Sequence, residues 1–409
     1  MRLPPALNKL ANPLSTLRQR DFRMVWTSIM FAGMGSQMET LVVAWLVLTL
    51  TDSPFLVGLI SSVRLATNFI SLFAGAVADR LPRRLVLAAV EFTLASLAVL
   101  MLALVMTGRL EVWHLFAITF FVGMARLFQL PAAQSLAIDS VPQEQIATAV
   151  ALTTMSQNMN LVIGPLLGGI LFELFGPQGA FVLIAVLYSL SGISALFVRT
   201  SRVTRTQQME SVMAAVIQAI RYVKGQQLIW AALVIAVIIN LTGFPFHGTL
   251  VPIFARDVLG QDAAGLGLLI SAFGIGAVTG SIFLSLFPEL KNVGKLLILS
   301  VVVWHGSMAA FGASTSFPVS LAILVVTGFA FSSTLVLIMI PIWRTALPEY
   351  RGRIIGLRIL AIYASAGGSL SSGGIAGAFS PALAANVSAG VGIALTGILA
   401  VVAPKLTRA

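Results

Sequence analysis

Apolar runs of about 20 residues, the length a helix needs to cross a hydrocarbon core of about 30 Å, follow one another along nearly the whole chain. Spans are predicted near residues 22–48, 55–78, 85–107, 112–135, 146–173 and 178–198, and again near 227–256, 263–287, 294–314, 317–343, 353–379 and 382–403. Inside a bilayer no water satisfies open backbone groups, so consecutive spans of this kind are helices. The chain reads as an all-α integral membrane protein of twelve transmembrane helices, and an even count places both termini on one side. Composition agrees, with 58% of the 409 residues hydrophobic and 10% charged, against about a quarter charged in a soluble domain. There is no cysteine, which excludes disulfides and cysteine metal sites. Residues 1–21 are polar and basic, the run after them is too long for a signal-peptide core, and no lipidation signal ends the chain.

The net charge of +11 follows topology and does not form a nucleic-acid surface. With the N-terminus inside, the cytoplasmic segments carry Arg2, Arg18, Arg20, Arg80, Arg83, Arg84, Arg199, Arg202, Arg221, Lys224, Lys291, Arg344, Arg351, Arg353 and Lys405, while the opposite face holds Arg109 and Arg256. Loops rich in lysine and arginine stay in the cytoplasm, so both termini are expected there, in a multi-pass protein of the cell membrane. The longest polar break, 199–226, repeats Met209, Val212, Val216, Ile220 and Val223 at helical spacing, the pattern of an amphipathic helix lying along the membrane surface. It divides the chain into an N-terminal six-helix bundle (1–198), a linker (199–226) and a C-terminal six-helix bundle (227–409). A shift of 210 residues aligns Asp52 with Asp262, Asp79 with Glu289, Pro131 with Pro341, Asp139 with Glu349 and Gly164 with Gly374. The acidic matches, each at the end of a predicted span, point to an internal repeat, as in transporters built from two parallel halves.

The turn GAVADRLPRR places four ionised side chains within Asp79–Arg84, between two predicted spans. Gly75, Asp79, Arg80, Arg83 and Arg84 resemble the signature G-x-x-x-D-R-x-G-R-R of the major facilitator superfamily, with Pro82 where the pattern has glycine. Arg126 inside span four, RGR at Arg351–Arg353 and GPLLGG at Gly164–Gly169 add to the likeness. The last is similar to the core of the antiporter signature, although Asn160 stands where a glycine is usual. The strings LTDSPFLVGL, VPIFARDVLG and LPEYRGR look most like the twelve-span drug:proton antiporter branch, which also contains siderophore and macrolide exporters. The resemblance implies two pseudo-symmetric bundles, a monomer, no bound cofactor, and alternating access that uses the proton gradient to drive a small molecule outward. It also implies that Asp79 meets the N-terminus of span eleven, near Arg353, and that Arg83 pairs with Asp139, latching the halves in the outward-open state. The other reading of these charges is that they fix topology alone.

Three charges lie deep in predicted spans. At 1.5 Å per residue, Glu39 is about 25 Å in from the inner end of span one, Arg64 about 14 Å from the outer end of span two, and Arg126 about 20 Å from that of span four. Ionisable residues at that depth face a cavity or a partner. Glu39 is a candidate for reversible protonation and for holding a cationic substrate; the competing reading is a fixed ion pair with Arg64 or Arg126. For Arg126 the resemblance implies a part in proton transfer through a nearby carboxylate, and for Arg64 it implies none. Glu91, about two turns into span three, reads as a partner for the Arg80–Arg84 cluster. His247 is titratable near neutral pH, but beside Gly243, Pro245 and Gly248 it also reads as a packing residue. His114 and His305 lack companions for a metal site.

Gly164, Gly168 and Gly169 flatten one helix face and Pro165 bends it, which suits an element that changes partners and equally suits ordinary close packing. Met34, Met38, Trp45, Phe128, Phe244, Phe246, Met339 and Trp343 are candidate walls of an apolar cavity. The function read from all this is proton-coupled export of amphipathic or cationic drugs, with small molecules, protons and the bilayer as partners. The alternative is a dedicated exporter of an endogenous metabolite such as a siderophore, whose negative charge would favour Arg64 and Arg126 as ligands. A membrane enzyme would need a nucleophile–base pair, which is not evident, and a non-transporting sensor would tolerate loss of the deep charges. No GxxxxGK[ST] loop occurs, which argues against ATP hydrolysis within this chain.

Overall fold

The computed structural model describes residues 13–67, 82–199, 212–287 and 290–408, and among them every regular element is helical. Among the described residues ten helices are long and apolar enough to cross a bilayer. The longest, Gln143–Leu196 with 54 residues, would measure about 80 Å if straight at 1.5 Å per residue. It is not one span: at Gly176 φ is 68° and ψ −174°, a region open essentially to glycine alone, and Pro177 follows. The predicted fifth and sixth spans are its two arms. A shorter apolar helix, Pro54–Leu65, begins the predicted second span, whose remainder lies outside the described residues. These elements are consistent with twelve crossings.

The helices used below are α1 (Arg20–Thr51), α2 (Pro54–Ala66), α3 (Arg83–Met106), α4 (Val112–Asp139) and α5 (Ile146–Leu196). The linker region holds α6 (Val212–Lys224), followed by α7 (Gln227–Thr242) and α8 (Val251–Asp257). Then come α9 (Ala263–Ser285), α10 (Val293–Gly312), α11 (Phe317–Thr345), α12 (Pro348–Leu360), α13 (Ala364–Ala378) and α14 (Pro381–Val402). The predicted seventh span is thus α7 and α8 joined through a π-helical turn, Phe246–Leu250. The eleventh is α12 and α13 joined by a 3₁₀ turn, Ala361–Tyr363.

The chain forms two compact units, Met1–Val42 with Thr67–Gln207, and Val43–Ala66 with Gln208–Ala409. In the first, Phe22 and Val25 of α1, Leu87 and Ala88 of α3, Leu136 and Ala137 of α4, and Leu152 and Ala195 of α5 share one core. The second takes in the end of α1 and all of α2 for visible reasons. A Cβ on Gly373 of α13 would lie 2.9 Å from the Gly58 Cα and 2.7 Å from the Pro54 carbonyl oxygen of α2, so these helices touch backbone to backbone, as small residues permit in membranes. Ser62 Oγ donates to the Ala366 carbonyl at 2.7 Å. Arg256 Nη1 donates to the Leu48 carbonyl at 2.5 Å and to Asp52 Oδ1 at 2.8 Å.

Within the amphipathic segment Val212–Lys224 is helical, and its apolar face is shared between surface and core. The Tyr222 ring stacks on Tyr350 at 4.2 Å, and its hydroxyl accepts the Leu347 N–H. Arg353 Nη1 donates to Gln218 Oε1 at 2.7 Å, and Val223 packs in a core with Ile229, Ile342 and Ile354. Ile217 and Ile220 stay exposed, available to lipid. α6 is therefore docked on α12 and does not lie on the surface alone.

Candidate transport site

Within the first unit, three helices bring polar groups together at mid-span. Ser36 and Glu39 stand three residues apart on α1 and so share a face, Arg126 projects from α4, and Tyr188 from the second arm of α5. Arg126 Nη2 lies 2.6 Å from Glu39 Oε2 and donates to the Tyr188 hydroxyl at 2.5 Å. Tyr188 in turn donates to the same Glu39 oxygen at 2.6 Å, and Arg126 Nη1 bonds Ser36 Oγ. The pair is secluded, with side-chain exposures of 17% for Arg126 and 13% for Glu39, and Tyr188 is buried. A Cβ on Gly35 would sit 3.2 Å from the Tyr188 ring, so glycine there lets the ring approach α1 closely. Attraction between buried charges offsets their desolvation only when the remaining lone pairs and protons find partners. Tyr188 and Ser36 supply two of those partners, while Arg126 Nε has none.

Of the three deep charges, Glu39 and Arg126 are thus paired in the first unit. Arg64 is half-buried in the last turn of α2, in the second unit. Sequence does not single out Tyr188 and Ser36, since a tyrosine or serine in an apolar run reads as packing. The spacing of Ser36 to Glu39 is the available signal for the serine. Glu91, read as a partner for the Arg80–Arg84 cluster, accepts at Oε1 from Gln129 Nε2 of α4 at 2.8 Å. Arg83 pairs with Asp139 at 2.7 Å, and Arg84 donates to the Val198 carbonyl. Gly75, Asp79 and Arg80 lie outside the described residues.

The GPLLGG face meets α1. A Cβ on Gly164 would be 2.6 Å from the Gln37 Cβ, and one on Gly168 would be 3.1 Å from the Met38 Cα. Pro165 and Gly169 are buried in the same turn of α5. This close contact presses α5 against the segment of α1 that carries Ser36 and Glu39.

In the second unit, the π-helical turn carries His247 into an aromatic nest. Its ring stacks on Phe273 at 5.1 Å and lies 6.0 Å from Phe244 and 6.2 Å from Phe331. Phe331 also meets Trp304 edge-on at 5.2 Å. π-helical turns widen a helix and recur at functional sites. His305 is held by Thr242 Oγ1 at 2.7 Å and the Val301 carbonyl at 2.9 Å, a structural role. Among the candidate cavity walls, Met38, Trp45 and Phe246 are buried. Trp343 is exposed under the Arg351 guanidinium, 5.6 Å from the ring centroid, which makes it a surface residue. Met34, Phe128, Phe244 and Met339 are half-buried. Among the described residues no three His, Asp or Glu side chains gather as a metal-binding group.

Known proteins place this architecture. The chain is 30% identical over 141 residues to the uncharacterized MFS-type transporter YkuC of Bacillus subtilis, a match over 34% of this chain and 32% of that protein. It is 26% identical to multidrug resistance protein MdtG of Serratia proteamaculans, over 60% of this chain and 59% of that one. The chain thus covers about a third of the first relative and under two thirds of the second. The enterobactin exporter EntS of Citrobacter koseri is 26% identical over 86% of this chain and 83% of its own. The crystal structure of the nucleoside transporter NupG superposes with a TM-score of 0.70 at 16% identity, covering 94% of this chain and 98% of that one, and shares its fold. The two units are accordingly those of a multi-pass membrane protein with the major facilitator fold. The model of the Transmembrane secretion effector family matches residues 11–408, and the chain belongs to that family of the major facilitator superfamily, whose members are transporters and not enzymes.

Proposed function

We propose that this protein is a proton-coupled exporter that moves amphipathic cations out of the cell by alternating access. The carrying observation is the Glu39–Arg126–Tyr188 cluster, a secluded ion pair at mid-span on three different helices. Such residues in a span mark ion or substrate pathways. A proton or a cationic substrate competes for the same Glu39 oxygen, so loading one releases the other, which is the requirement for antiport. The aromatic nest around His247 offers ring faces to an apolar or cationic ligand. The functional halves are taken as 1–198 and 227–409 linked through 199–226, acting as a monomer in the inner membrane with both termini cytoplasmic.

A dedicated exporter of an endogenous metabolite is the second reading, favoured by the coverage of the enterobactin exporter. An anionic substrate of that kind would have to displace Glu39 from Arg126. The test is dye-induced proton release in everted membrane vesicles. Wild type is expected to dissipate an acidic interior when cationic dyes are added, and Glu39→Gln to lose at least ~90% of that response. Equal responses from the two would leave Glu39 a structural residue, and no response from either would move the case to anionic substrates.

We also assign the Arg83–Asp139 pair to a latch that forms in one transport state. Both side chains are about one-fifth exposed, so the pair contributes ~0–1 kcal/mol to stability as surface pairs do. Asp139→Asn is therefore expected to leave the melting temperature nearly unchanged and to lower flux several-fold, with the exchanged pair Arg83→Asp/Asp139→Arg recovering part of it. Unchanged flux would reduce both residues to topology charges.

A further inference from the structure

Glu91 is a carboxyl group that the reading above does not use. Its side chain is fully buried on α3, about 12 Å from the Arg83 end at 1.5 Å per residue. Oε1 accepts from Gln129, and Oε2 is buried without a hydrogen-bond partner. Gln129 stands three residues from Arg126 on α4, hence on the same face and one turn closer to Asp139. Ser191, three residues from Tyr188 on α5, also acts on Glu91, but its hydroxyl is engaged with Ser28 Oγ at 2.8 Å and the Ser28 carbonyl at 2.9 Å. Among the described residues Arg126 attracts the Glu91 carboxylate, and Arg126 is itself paired with Glu39 and bonded to Tyr188. The polar groups thus form a ladder, with Glu39, Arg126 and Tyr188 on one rung and Glu91, Gln129 and Ser191 on the next.

Charge balance decides what this ladder holds. Arg126 and Glu39 together are neutral, and a second ionised carboxylate would leave an unpaired charge buried in the bilayer, an arrangement proteins avoid by neutralising the group. We propose that Glu91 is a second proton-binding site, and that Glu39 and Glu91 share Arg126 as a counter-ion so that one of the two carboxyls is ionised at a time. While Glu39 is paired with Arg126, the shared proton rests on Glu91. When Glu39 accepts a proton, Arg126 is freed to pair with Glu91, whose O–H bond breaks as the new O–H bond on Glu39 forms, so the count of one proton and zero net charge is conserved. Glu91 is then the station that relays protons between the Glu39 rung and the Arg83 end of the bundle.

The proposal extends the proton-coupled reading of the same cluster, and its test is independent of flux. Infrared spectra of the purified protein in lipid, in H₂O and D₂O, report a buried carboxylic acid by its C=O stretch and isotope shift. Wild type is expected to show that band at neutral pH, and Glu91→Gln to lose it. Glu39→Gln is also expected to lose it, because Arg126 then pairs with Glu91 and draws off its proton. A wild-type spectrum without the band, or a band that survives Glu91→Gln, overturns the proposal. Persistence in Glu39→Gln overturns the shared counter-ion. If Glu91→Gln does not fold, Glu91→Met replaces it, and the wild-type spectrum alone remains decisive against the idea. Proton-driven flux is read separately: its absence in wild type would sink the proposed function and leave the infrared result standing.

Discussion

Arg126→Met is expected to abolish proton-driven export and to destabilise the protein by ~3–5 kcal/mol, the usual consequence of stripping one partner from a buried ion pair. The reason is specific to this cluster. Glu39 Oε2 takes the guanidinium at 2.6 Å and the Tyr188 hydroxyl at 2.6 Å; without Arg126 a secluded carboxylate keeps one neutral donor. Removing both charges is a different matter. In Glu39→Gln/Arg126→Met no charge is left stranded, and the introduced amide oxygen still accepts from Tyr188, so most of the lost stability should return while transport does not. Thermal unfolding of wild type, both single variants and the double variant measures the coupling directly, with flux into proteoliposomes as the second readout. Additive losses would show that Glu39 and Arg126 do not depend on each other, and the coupling site would have to be sought elsewhere.

The double variant matters because the presence of these charges and their pairing differ in how far sequence reveals them. Glu39 and Arg126 announce themselves, since an ionisable residue deep in an apolar run is rare enough to need a reason. Their pairing does not, because span depth fixes height along a helix and leaves its rotation open. Tyr188 is invisible for a related reason: an apolar run tolerates tyrosine wherever its hydroxyl finds a partner. The spans are legible because hydropathy over 20 residues is insensitive to local detail, and the turn between the fifth and sixth is marked by Gly176 and Pro177. The breaks at Phe246–Leu250 and Ala361–Tyr363 are tertiary responses, and the second has no proline to signal it. Likewise nothing in Val43–Ala66 says that it packs with the C-terminal helices; that follows from Gly58 meeting Gly373 across roughly 300 residues of intervening chain. Chain order suggests two halves divided at the linker, whereas packing assigns one early hairpin to the later helices.

Glycines carry the other large expected effect, because a glycine-rich run does not say which members lie against a backbone. On α9 and α11 the answer is direct. A Cβ on Gly276 would fall on the Val325 carbonyl oxygen, one on Gly328 on the Phe273 carbonyl oxygen, and one on Gly280 would lie 2.5 Å from that of Phe329. These obstacles are backbone atoms on both helices, so no rotamer change relieves them, and the helices must separate. Gly328→Leu is therefore expected to prevent accumulation of folded protein, and Gly328→Ala to cost more than the ~1–3 kcal/mol of ordinary overpacking. The sharper comparison is between neighbours on α13. Gly367 has nothing within 4 Å of a new Cβ, whereas one on Gly368 would collide with the Leu241 carbonyl oxygen. Gly367→Ala should hold or raise stability by up to ~1 kcal/mol through helix propensity, while Gly368→Ala should lower the melting temperature and the yield together. Expression level and unfolding temperature of these adjacent variants decide the point. Equal tolerance at 367 and 368 would mean that α7 and α13 do not approach as closely as the Leu241–Gly368 contact requires, and the same doubt would then fall on the α9–α11 seam.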